Sequence, residues 1–177
     1  MAKVGIFFGS DTGKTRKVAK MIHEAFGSDA VAAPVNINKA SIQDLLEYDA
    51  LVLGTPTLGD GQLPGLDCEC QAESWAEFVP ELEGADLSGK TVALFGLGDQ
   101  QGYPDAFVDA LGELFDIVSD AGASVVGSWS SNGYEFNSSN ALEGDDFVGL
   151  VLDQDNQPEL TAERVATWVA AIKPQLI

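Results

Sequence analysis

The sequence predicts an α/β fold: a doubly wound, five-stranded parallel sheet with helices on both faces and a last strand interrupted by a polar insertion. Three observations carry this. Short apolar runs alternate with stretches of helical period, as successive βαβ units require. The runs are nearly continuous rather than alternating, which suits strands covered on both faces. Between the first run, Val4 to Phe8, and the first helical stretch lies Gly9-Ser10-Asp11-Thr12-Gly13-Lys14-Thr15, a turn crowded with glycine and hydroxyls.

Strand positions are expected near Val4 to Phe8, Ala30 to Val35, Ala50 to Gly54, Thr91 to Leu97 and Ser124 to Trp129. Val18, Ile22, Ala25 and Phe26 mark the core face of a first helix. Ser41 can cap a short helix carrying Ile42, Leu45 and Leu46. Another helix is expected from about Glu73 to Leu82, its length limited by Pro80. Phe107, Leu111, Leu114, Phe115 and Val118 mark the next helix, and Val165, Trp168, Val169 and Ile172 the last, with Thr161 as its expected cap. After Trp129 a polar stretch to Asp146 precedes a second apolar run, Phe147 to Leu152. No crossover helix fits between the two runs, so they share one edge position of the sheet or form a small hairpin.

The 177 residues fit one domain, residues 1–177, with a single core. No apolar stretch approaches the ~20 residues that span a bilayer. No signal-peptide pattern opens the chain, so a cytoplasmic protein is expected. Nine Lys and Arg against 28 Asp and Glu give a formal charge of −19. That excludes nucleic acid and anionic membrane surfaces as natural partners. Lys3, Lys14, Arg16, Lys17 and Lys20 gather near the N-terminus, whereas Asp60, Asp67, Glu69, Glu73, Glu77, Glu81, Glu83 and Asp86 follow one another with no intervening base. One end of the molecule should be strongly negative and steer a basic partner, or simply confer solubility. Cys68 and Cys70, one residue apart, are expected to be free thiols, and His23 a helix-surface residue.

Glycines and hydroxyls at a strand-to-helix turn make a phosphate cradle: backbone N–H groups approach the anion and the helix dipole favours it. Only three residues separate Gly9 from Gly13, where a nucleotide-hydrolysing P-loop needs four, so Lys14 and Thr15 are not its lysine and threonine. Neither this turn nor Gly96-Leu97-Gly98-Asp99-Gln100-Gln101 supplies a G-x-G-x-x-G dinucleotide fingerprint. A monophosphate held by hydroxyls and backbone remains, beside the plainer reading of Ser10 and Thr12 as helix caps. Two further loops at carboxyl ends of expected strands look specialised: Gly54-Thr55-Pro56-Thr57-Leu58-Gly59-Asp60-Gly61, and Gly96 to Pro104. Both let backbone come close to a flat ligand.

Together the three loops resemble those of flavodoxins, small FMN-binding electron carriers. Ser10, Thr12-Gly13 and Thr15 match the family's phosphate turn; Thr55-Pro56-Thr57 and Gly98-Asp99-Gln100-Gln101-Gly102-Tyr103 match its two flavin loops. The resemblance covers the whole chain. The insertion after Trp129 is like that of long-chain members, and the sequence is most similar to those associated with nitrogen fixation. It implies that Ser10, Asp11, Thr12, Gly13, Lys14 and Thr15 enclose the FMN phosphate. Tyr103 would stack on the isoalloxazine, with Asp99 and the backbone near Leu97 and Gly98 along its pyrimidine edge. Thr55, Pro56, Thr57, Leu58, Gly59 and Gly61 would cover the other face. Many relatives place tryptophan at the position of Leu58, where leucine packs but offers no aromatic ring.

The same resemblance implies a low-potential one-electron carrier cycling mainly between semiquinone and hydroquinone. A Gly59 peptide beside flavin N5 could turn cheaply on reduction, and the acidic run would raise the energy of the anionic reduced ring. About 1.4 kcal/mol of such destabilisation is worth about 60 mV in a one-electron couple. Partners would be redox proteins with basic faces: nitrogenase iron protein as acceptor, a reductase or oxidoreductase as donor, the carrier itself a monomer. One alternative is an FMN-dependent NAD(P)H:quinone oxidoreductase, which needs a second substrate site. Another is a receiver module, which needs an aspartate at the end of the third strand, where this chain has Gly54-Thr55-Pro56.

Overall fold

The computed structural model describes residues 2–177. Its sheet has strand order β2-β1-β3-β4-β5, all pairings parallel, as the sequence predicts. β1 (Val4–Phe8) lies between β2 (Val35–Asn36) and β3 (Ala50–Pro56), and β3 pairs with β4 (Thr91–Leu97) over seven residues. Every residue of β1 is buried, as a central strand covered on both faces must be.

Alternation along β1 divides the core. Val4, Ile6 and Phe8 point to one face and pack with Val18 and Ile22 of α1 (Lys14–Phe26) and Trp168 and Ile172 of α5 (Thr161–Leu176). Phe7 points to the other, toward Leu45 of α2 (Ile42–Leu46), Trp75 and Phe78 of α3 (Trp75–Glu83), and Leu111 and Leu114 of α4 (Asp109–Asp120). Each fully buried side chain of this size contributes roughly 1.5–3 kcal/mol.

Two expectations change in detail, at the second strand and at Thr161. The second strand is only two residues long, with a separate bridge from Val31 to Val4. Pro34 between them has no N–H for the ladder, which confines this segment to a broken edge. α3 ends at Glu83, one residue past the expected Leu82, with Pro80 inside it. Ser41 does cap α2, in a reciprocal capping box with Asp44. Thr161, by contrast, is the first residue inside α5 rather than its cap, and its hydroxyl bonds the Gln154 side chain.

The interrupted last strand takes both forms left open by the sequence. β5 (Ser124–Val126) pairs with residues 91–93 of β4, and β9 (Leu150–Leu152) pairs with residues 95–97, so two segments fill one edge position end to end. The chain between them forms a small antiparallel sheet of β6 (Trp129–Ser130), β8 (Asp146–Phe147) and β7 (Leu142–Glu143). Gly149 makes the return to the edge possible: a Cβ there would stand 2.2 Å from the Leu94 carbonyl oxygen, which is backbone and cannot move aside.

Gly149→Ala is therefore expected to destabilise the protein by about 1–3 kcal/mol, read as a lower urea midpoint at unchanged slope. Gly84→Ala is the control. Its added carbon meets nothing closer than 3.6 Å at φ −84°, and its midpoint should stay within about 0.5 kcal/mol of the parent.

Candidate functional site

Strand order 2-1-3-4-5 reverses direction between β1 and β3, and a ligand crevice is expected beyond the carboxyl ends of those strands. A cleft opens there. One end is formed by Asp11, Thr12, Lys14 and Thr15; one wall by Pro56, Thr57 and Leu58; the facing wall by Leu97, Gly98, Asp99 and Tyr103. Three loops distant in sequence thus meet where the sequence places them.

The turn is built to receive an anion. Gly13 adopts φ +91° at the start of α1, and its N–H bonds Ser10 Oγ at 3.0 Å, so the Ser10 hydroxyl shapes the turn from behind the cleft surface. Among the described residues, the backbone N–H groups of Asp11, Thr12, Lys14 and Thr15 have no protein acceptor. The first turn of α1 carries no acidic side chain. Unpaired donors at the positive end of a 13-residue helix, with the Thr12 and Thr15 side chains beside them, fit a phosphate monoester. Lys14 Nζ meets Asp155 Oδ1 at 2.6 Å, the only ion pair among the described residues.

The wall after β3 is a tight hairpin. Leu58 and Gln62 exchange N–H···O bonds of 2.9 and 2.7 Å around Gly59 and Gly61, which adopt φ +52° and +108°. Gly59 and Gly61 sit at this tip rather than on the cleft surface. Gly61 also lies against Asp109, whose Cβ would be 2.8 Å from an added methyl. Thr55 stands behind the wall: it is fully buried at the end of β3 and its hydroxyl donates to the Pro56 carbonyl. Thr57 Oγ1 accepts the Ala110 N–H at 3.3 Å and so holds the hairpin to α4.

Opposite, Tyr103 is half exposed, with its N–H on the Asp99 carbonyl at 2.9 Å. Asp99 Oδ1 accepts the N–H groups of Gly102 and Gln101 and the Asn156 amide, at 2.8, 3.2 and 2.8 Å. These bonds, that of Gly102 foremost, and the Lys14 charge hold its carboxyl below its ordinary value of 3.8. The Gly54 carbonyl accepts both the Gly9 N–H, at 3.0 Å, and Trp75 Nε1, at 2.8 Å, joining the phosphate turn, β3 and α3 at one atom.

Ala106, Val108, Gln154 and Asp155 also line the cleft, though nothing in the sequence singles them out, and Phe107, expected on the core face of a helix, lies before α4 and lines the cleft as well. Val108 holds φ +50°, unusual for a β-branched residue, and is kept there by complete burial. Gln154 and Asp155 follow β9, so recognising Leu150–Leu152 as a returning strand would have placed them at a carboxyl end. Cys68 and Cys70 are free; burial raises both thiols above their ordinary value.

The sequence profile of the flavodoxin family matches residues 6–168. A flavodoxin of Klebsiella pneumoniae is 61% identical over 173 residues, covering 98% of each chain. Flavodoxin 1 of Escherichia coli is 50% identical over 177 residues, covering 99% of this chain and 96% of its own. Among solved structures, Fusobacterium nucleatum flavodoxin bound to flavin mononucleotide superposes with a TM-score of 0.89 at 30% identity, with both chains fully covered. Flavodoxins are also a type example of the 2-1-3-4-5 strand order. The chain belongs to the flavodoxin family.

Proposed function

We propose that this single domain holds FMN in the cleft between the phosphate turn and the two facing loops, and that it carries electrons at low potential to nitrogenase iron protein. Membership of the family makes it an FMN-dependent electron-transfer protein rather than an enzyme. The observation that carries the placement is the set of unpaired N–H donors at the start of α1, lying at one end of a cleft whose walls are Leu58 and Tyr103.

FMN, when bound, supplies a ring that can take up or release one electron at a time. The chain does the rest. Thr12, Thr15 and the free N–H groups of the turn hold the phosphate, and Lys14 adds a charge by turning from Asp155. Leu58 and Tyr103, which line the same cleft, would flank the ring and exclude water from its faces. Gly59, already in a conformation only glycine adopts cheaply, can turn its peptide toward the ring.

Charge sets the potential. Asp60, Asp67, Glu69 and Glu73 are exposed and take part in no ion pair among the described residues, so their field is not cancelled locally. Added negative charge on the ring is opposed by that field, which lowers the potential of the last electron. The same field draws a basic partner and weakens as salt rises. Asp99 stays ionised into acid. Because its folded pKa lies below the ordinary 3.8, its contribution is present above that value and is lost as pH falls through the lower folded one.

Reductive titration of the FMN-loaded protein should pass through a long-lived one-electron stage visible in the absorption spectrum; direct two-electron reduction would overturn the carrier reading. Electron transfer to nitrogenase iron protein should outpace that to unrelated acceptors and slow as ionic strength rises. Lys14→Gln should weaken FMN binding about three- to tenfold while leaving riboflavin, which lacks the phosphate, nearly unchanged in a fluorescence titration. In urea unfolding from about pH 6 to about pH 3, Asp99→Asn should be less stable than the parent at the upper end, the gap closing as the parent's own carboxylate takes up a proton.

A further inference from the structure

Asp153 follows β9 and is completely buried, yet no cation lies within ion-pair distance of it among the described residues. Five N–H donors surround it instead. Oδ2 accepts from Gln100 N at 3.0 Å, Gln100 Nε2 at 2.8 Å and Asn156 Nδ2 at 2.8 Å; Oδ1 accepts from Asp155 N at 3.1 Å and Asn156 N at 3.0 Å. A carboxylate withdrawn from water is tolerated only where its lone pairs are filled in this way.

The donors come from two segments, and a third is attached through them. Gln100 is buried within the loop that carries Asp99 and Tyr103, and its Oε1 accepts the N–H of Glu135, in the insertion, at 2.6 Å. Asn156 Nδ2 also reaches Asp99 Oδ1 at 2.8 Å. The amide of Asn156 therefore bridges the buried carboxylate to the one on the cleft wall, while the amide of Gln100 bridges it to the insertion. Further on, Asn137 and Ser138 donate backbone N–H groups to the Pro104 carbonyl at 2.7 and 3.0 Å, so the insertion grips the same loop a second time.

We propose that Asp153, Gln100 and Asn156 form a buried polar clamp that fixes the ring-binding loop, making them positioning residues for the flavin ring rather than groups that touch it. The inference rests on the cleft being the FMN site. It assigns the insertion a role: Glu135 completes the clamp, so the polar segment between β6 and β9 helps set the shape of the cleft wall. Without the clamp, residues 99–103 lose their anchor to the end of the sheet, and binding must supply the ordering of that loop. The phosphate turn is not gripped by Gln100, so the penalty should fall on the ring alone.

Gln100→Met keeps the bulk and removes both side-chain bonds. Flavin fluorescence titrations should show FMN and riboflavin weakened by the same factor, about tenfold, so that their affinity ratio is preserved. Asp153→Asn should in addition speed amide exchange of Gln101 and Gly102 in the flavin-free protein, with Val52 and Ala93 in the central strands as protected as in the parent. If Asp153→Asn does not fold, Gln100→Met decides alone. Parent-like riboflavin affinity in Gln100→Met, or a loss confined to FMN, would overturn the clamp. A parent chain that bound neither flavin would overturn the site itself and the clamp with it.

Discussion

The ligand end of the molecule hangs on the carbonyl of Gly54. Phe8 and Gly54 face each other at the end of the β1–β3 ladder, and the Gly54 oxygen then takes two donors, Gly9 N and Trp75 Nε1. One atom thereby fixes where the phosphate turn begins and how α3 sits against β3. Glycine is required: a Cβ would lie 2.0 Å from the Phe95 ring. The N–H groups of residues 11, 12, 14 and 15 remain available because this anchor holds the turn without using them. An anion site made of backbone is inexpensive in side chains but needs rigid support.

Above that anchor the cleft is assembled from segments with different kinds of support. The hairpin after β3 is closed by its own Leu58–Gln62 bonds and pinned by Thr57 to α4. The loop after β4 depends on partners more than thirty residues away: Asp153, Asn156, Glu135 and Ser138. This contrast explains what the sequence could convey. Local chemistry is legible locally, so the glycines and hydroxyls of residues 9–15 disclose the turn, and Ser41 with Asp44 discloses a capped helix. The central strands are equally plain because burial on both faces leaves long apolar runs. Pro34 could have warned that the second strand is broken.

Other features depend on tertiary choices without a local mark. Thr161 has the chemistry of a cap, but a partner at Gln154 takes its hydroxyl and the helix begins one residue early. Pro80 is accommodated inside α3, where the helix is held by buried Trp75, Phe78 and Leu82. Gln154 and Asp155 belong to the cleft only once β9 has rejoined the sheet beside β4, and that return depends on the close approach of Gly149 to Leu94. Thr55 shows the converse: it lies in a matching motif yet faces the core.

The broken margins of the sheet bear on behaviour at high concentration. One outer position holds two residues and an isolated bridge beside Pro34. The other is two separate three-residue pieces, with the chain leaving the plane between them. A neighbouring molecule seeking to extend the sheet finds no long, straight row of free donors and acceptors at either side. The apolar central strands, the segments most prone to zip together, thus lie inside, and the margins offer a fibre little to template on.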